Sequence, residues 1–88
     1  AICAAPGLVL SQLKGIEGAA VTCFDGFEDK LRAAGAKFEP RAAITSGRII
    51  TGRSAGHALE FGLEIVKKVR PEKYDEVKFH LYLDTVRG

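Results

Sequence analysis

The chain has 88 residues, 47% of them hydrophobic and 27% charged, with a formal net charge of +2. That length suits one small domain, which buries roughly 60–65% of the surface its unfolded form exposes. So small a charge, scattered except at Lys67, Lys68 and Arg70, gives no ground for a nucleic-acid groove or a membrane surface, and no apolar run reaches the length of a membrane span.

Ala1 to Cys3 read as the end of a buried strand. Ala4-Ala5-Pro6 then turns the chain, with Pro6 in the first helical turn, where a missing N–H costs nothing. Leu8, Val9, Leu10 and Leu13 supply an apolar helical face, and Gly15 ends the helix. Ala19 to Phe24 is rich in β-formers and reads as a second, buried strand of a covered parallel sheet. Asp25-Gly26 marks a turn. Glu28 to Ala34 is expected as a short helix closed by Gly35, and Lys37 to Glu39 as a short strand before Pro40.

The segment "RAAITSGRIITGR" carries the clearest β signal. Two apolar runs flank Ser46-Gly47, which predicts a hairpin with glycine at a positive φ. Ser54 is a plausible N-cap. From His57 to Arg70, Leu59, Leu63 and Val66 share one helical face, widened by Ala58, Phe61, Ile65 and Val69. Glu60, Glu64, Lys67 and Lys68 lie opposite, and the basic cluster falls where cations favour a helix C-terminus. Pro71 breaks this helix and starts another, predicted to run to about Tyr82. The alternation of Val77, Phe79, Leu81 and Leu83 is the competing strand pattern. The order of elements predicts an α/β architecture with too few helices to cover both faces of its sheet.

Cys3 stands where a strand passes at once into a helix. A helix N-terminus carries partial positive charge and unpaired N–H groups, a setting in which thiolates are generally stabilised. Ala4 and Ala5 are small enough to admit a reagent to the sulfur, and their N–H groups could receive an oxyanion. The arrangement is similar to the strained turn that presents the nucleophile in several α/β enzymes, with Ile2 and Ala5 in place of the flanking glycines. The alternative is a small buried hydrophobe, and this is the expected role of Cys23. Two cysteines are too few for a disulfide framework and the first residues lack the charged start of a signal peptide. A reduced, cytoplasmic compartment is therefore expected.

"AICAAPGLVL" resembles the nucleophile-elbow segment of the ThiJ/PfpI family, which includes the Parkinson-disease protein deglycase. "ITGRSAGHALEFGLEIV" resembles its second diagnostic segment, commonly T-x-R-G-P-G-x-x-x-E-F-A-L-x-I-V. "VTCFDGFEDKL" lies between them where the family has a comparable strand and loop. The resemblance implies a flavodoxin-like sandwich with a mostly parallel sheet. Family members are roughly twice as long, in line with common domain sizes. Residues 1–88 are therefore expected to form the C-terminal half of one such domain, with the N-terminal half as its missing partner.

The resemblance implies that Cys3 is the reactive cysteine and that the backbone N–H of Ala4 binds an oxyanion. A glutamate from the other half would tune the thiol. Some members place a histidine beside the cysteine, and Phe24 stands at that position here. Ser54-Ala55-Gly56 replaces the usual Gly-Pro-Gly, with Gly56 allowing close approach of backbone to the elbow and His57 as a possible base or a first-turn surface histidine. Arg53 is expected in a structural salt bridge, Glu60 as a local helix anchor and His80 on the surface. The implied activity is that of a glyoxalase III or protein deglycase acting on methylglyoxal-type dicarbonyls without metal or organic cofactor, in a homodimer. A redox sensor or chaperone-like protein of oxidative stress, using a readily oxidised Cys3, is the alternative. A cysteine peptidase or amidase ranks behind both, because a histidine partner is not evident.

Overall fold

The computed structural model describes residues 1–82. Its elements in chain order are α1 (Ala5–Leu8), a 3-10 turn (Leu10–Gln12), β1 (Ala20–Val21), α2 (Glu28–Ala33), β2 (Lys37–Phe38), β3 (Ala43–Ser46), β4 (Ile49–Gly52), a 3-10 turn (Ala55–His57), α3 (Ala58–Val69), a 3-10 turn (Pro71–Lys73) and α4 (Tyr74–His80). β1 pairs with β2 in parallel, and Ile2 makes a parallel bridge to Gly52. The longest ladder is the antiparallel hairpin, with Ala43 opposite Gly52 and Ser46 opposite Ile49. The expected parallel sheet is thus present as short pairings, and the hairpin forms a separate two-stranded antiparallel sheet.

Five residues, Ile16, Val21, Cys23, Leu31 and Ala36, form the central core, with Leu10, Phe27, Phe38 and Ile49 packed against it. Val21 and Cys23 are two apart, so they share the face of the extended segment that α2 covers. Ile49 faces this core, while Gly52, an odd number of residues away, faces Phe61 of α3. The hairpin therefore carries α3 on one face and packs the other against the central core.

Local chemistry explains the helix boundaries. α2 has Glu28 and Asp29 in its first turn, where negative charge suits the dipole. Its C-terminus is closed by Gly35 at φ 88°, with Gly35 N–H donating to the Arg32 carbonyl and Ala36 N–H to that of Leu31. These paired bonds satisfy carbonyls the helix itself leaves open. α1, expected to run toward Gly15, stops at Leu8. The Ser11 hydroxyl donates to the Gly7 carbonyl at 2.5 Å, taking the acceptor that a continuing α-helix would offer to the Ser11 N–H. Leu8, Val9 and Leu13 of the expected apolar face are exposed.

The hairpin differs from expectation by one residue. The loop is Gly47-Arg48, and only Gly47, at φ 60°, has a positive φ. Glycine at the first central position is the requirement of a type II′ turn. α3 buries Leu63, whereas Leu59, Ile65 and Val69 of the expected face stay exposed. The short hairpin beneath is narrower than the apolar stripe above it. Past α3, Arg70 pairs with Glu72 at 2.6 Å and Lys67 sits 5.7 Å over the Tyr74 ring. The last helix ends at His80, which is exposed; Leu83 of the alternative strand pattern lies outside the described residues.

Candidate active site

Cys3 lies between the Ile2 bridge and α1, half-buried. Its φ is 64°, in the left-handed region where the Cβ of an L-residue crowds the following carbonyl. Hydrogen bonds on both sides hold it there: its N–H donates to the Gly52 carbonyl at 3.0 Å, and its carbonyl accepts from the Phe24 N–H at 2.7 Å. The Ala5 N–H closes the turn onto the Ile2 carbonyl at 3.2 Å. Of the two amides the sequence offers to an oxyanion, Ala5 is thus already engaged. The Ala4 N–H has no acceptor among the described residues. A side chain on a strained strand-to-helix turn, beside an open amide, has a geometry suited to presenting a nucleophile.

Beside this turn is a depression of about 240 Å³ lined by Phe24, Asp25, Arg53, Ser54 and His57. Cys3 is not part of the lining, but its backbone is bonded to Phe24 on one side and to Gly52, next to Arg53, on the other. Arg53 makes the expected salt bridge, reaching Asp25 Oδ1 at 2.9 Å, and also donates to the Pro40 carbonyl at 3.3 Å. Ser54 precedes the helix but does not cap it with its side chain. Its Oγ lies 2.7 Å from His57 Nδ1 instead, fixing a half-buried imidazole. The spacing S-x-x-H at a helix start is the sequence signal for this pair, since residues three apart share a helical side. Among the described residues, no three His, Cys, Asp or Glu side chains gather as metal ligands would.

Gly56 does not make the close approach expected of it. It is exposed, and the nearest atom a Cβ there would meet is Ser54 Oγ at 3.7 Å. The close approaches belong to two other glycines. A Cβ on Gly52 would come within 2.9 Å of Ile2 and 3.0 Å of Phe61, and one on Gly7 within 2.6 Å of the Phe27 carbonyl oxygen. Both glycines lie where the chain of the Cys3 turn meets its supports. Glu60 is exposed in the first turn of α3.

Cys23 is fully buried in the core, as expected. Desolvation, with smaller contributions from Glu28 and Asp25, pushes its thiol above the ordinary value of 9.0. The folded state therefore holds this proton more tightly than the unfolded state does. The resulting stability is fully present below the ordinary value and is lost as pH rises beyond it. Iodoacetamide on the folded protein is accordingly expected to alkylate Cys3 and spare Cys23, since attack needs access and a thiolate. Peptide mapping by mass spectrometry reads this directly; labelling of Cys23 first would contradict the burial.

The fold and turn define an α/β domain of the flavodoxin type. A threonine-to-proline mutant of Schizosaccharomyces pombe DJ-1 superposes with a TM-score of 0.80 at 26% identity, over 93% of this chain and 43% of that one. The DJ-1/PfpI family model matches residues 1–68, and the chain belongs to that family, the ThiJ/PfpI family of the sequence resemblance. It is 39% identical over 74 residues to the glutathione-independent glyoxalase DJR-1.2 of Caenorhabditis elegans. That match covers 83% of this chain and 39% of the nematode protein. It is 36% identical over 84 residues to protein DJ-1 homolog A of Arabidopsis thaliana, covering 94% of this chain and 21% of the plant protein. The chain thus spans well under half the length of these relatives. No helix among the described residues is long and apolar enough to cross a membrane.

Proposed function

We propose that residues 1–88 are the C-terminal half of a DJ-1/PfpI domain that, completed by its N-terminal half, acts as a cytoplasmic, homodimeric glyoxalase or deglycase on methylglyoxal-type dicarbonyls. The observation that carries this reading is the left-handed conformation of Cys3. A non-glycine residue held there costs about 1–3 kcal/mol, and such strain concentrates at functional sites. Likeness to a nematode protein named as a glyoxalase supports the substrate class.

In this mechanism the Cys3 thiolate adds to the aldehyde carbon of methylglyoxal, giving a hemithioacetal whose oxyanion the Ala4 N–H receives. The proton on that carbon leaves and returns to the neighbouring ketone carbon through an enediol, so the former aldehyde carbon becomes a thioester. Water then cleaves the thioester, releasing lactate and regenerating the thiol. His57 takes a supporting position, held by Ser54 in the lining of the adjoining depression. The test is lactate formation from methylglyoxal by the full-length protein and by Cys3→Ala. The variant is expected to lose at least about a thousandfold in kcat/KM, as loss of a covalent nucleophile does. Equal rates would remove Cys3 from the chemistry.

A further inference from the structure

We propose that the depression beside Cys3 is the subsite for the substrate's substituent, and that it selects a neutral aromatic group, as in an aryl 2-oxoaldehyde. This deepens the reading of Cys3 as nucleophile and rests on it. The polar groups around the depression are largely engaged with one another. The Arg53 guanidinium is occupied by the Asp25 carboxylate and the Pro40 carbonyl, and the Ser54 hydroxyl by His57 Nδ1. The Arg53–Asp25 ion pair leaves this wall without a net charge of its own to favour a charged substituent over its water.

Phe24 is the apolar side chain of the lining. It lies in the same wall and remains 45% exposed although the residues just before it are fully buried. Its ring gives the depression its apolar surface, and planar groups pack well against aromatic rings. A depression of about 240 Å³ is small beside ordinary ligand pockets, yet a single methyl group would leave most of it empty. Its position is fixed relative to the sulfur's own residue, because Phe24 N–H is bonded to the Cys3 carbonyl.

The experiment uses the full-length protein and compares phenylglyoxal with methylglyoxal. In Phe24→Ala the ratio of their kcat/KM values is expected to fall about tenfold, and in Phe24→Tyr to hold, because the planar ring is kept. A Phe24→Ala ratio within about twofold of the parent overturns the proposal, since the ring then contributes no discrimination. Calorimetric binding of mandelate and lactate, the corresponding hydroxy acids, reads the subsite without turnover. Mandelate is expected to bind about tenfold more tightly in the parent, with the difference lost in Phe24→Ala. If neither dicarbonyl is consumed but mandelate preference follows Phe24, the nucleophile reading falls and the aromatic subsite stands. If turnover needs Cys3 but the two acids bind alike, the subsite alone is wrong.

Discussion

Gly7→Ala is expected to destabilise the folded protein by roughly 2 kcal/mol, against the direction that helix propensity demands. Alanine inside a helix is favoured over glycine by about 1 kcal/mol, so propensity alone predicts a more stable variant. Packing decides otherwise. The added Cβ would lie 2.6 Å from the Phe27 carbonyl oxygen and 2.7 Å from its Cβ, and Phe27 opens the turn into α2. Backbone cannot swing away as a side-chain tip can, so α1 and α2 must part. Gly52→Ala offers a control. Its contacts are side-chain atoms of Ile2 and Phe61 at 2.9–3.0 Å, which can yield in part, and about 1 kcal/mol is expected. Urea unfolding of the native protein and both variants provides the comparison; a higher midpoint for Gly7→Ala would mean that the two helices are not in close contact.

Cys3→Gly is expected to separate stability from chemistry. Glycine adopts a positive φ without the penalty an L-residue bears, although it loses more backbone freedom on folding. Relief of about 1–2 kcal/mol against a loss of roughly 0.5–1 kcal/mol leaves the variant equal to the parent or slightly more stable. Dicarbonyl turnover by the full-length protein should nonetheless vanish, because the attacking sulfur is gone. Thermal unfolding and lactate formation measured on one preparation test both halves of the statement. A marked loss of stability would show that the side chain, rather than the chemistry, is what the φ of 64° serves.

What could be read in advance was mostly local. Pro6, Gly35 and the Ser46-Gly47 stretch each encode a boundary through their own backbone restrictions, and elements begin or end beside each of them. The break after Leu8 escaped because it depends on a rotamer of Ser11 that sends its hydroxyl back to Gly7. The role expected of Gly56 belonged instead to Gly7 and Gly52, since close approach is a property of what lies across the gap and not of the glycine. Cys3 was legible as a candidate from its place between a strand and a proline-led helix. That Phe24, Ser54 and His57 line one depression was not, because some 30 residues separate the first from the others and only the completed chain path brings them together.

The hydroxyls of Ser46 and Thr51 have a further consequence. They accept the N–H groups of Ala20 and Thr22 at 3.2 Å and 3.0 Å, so the hairpin is joined to β1 through side chains as well as packing. Backbone ladders are indifferent to sequence, and a strand can slide along one by two residues with its faces preserved. A join made by hydroxyls has no such freedom. Displaced by two positions, the hairpin would present Ile49 or Arg53 where Thr51 belongs, and neither side chain carries a hydroxyl. Alignment along the hairpin's length is in this way written into individual residues, and the arginine and serine just beyond β4 arrive beside the cysteine turn at a fixed reach.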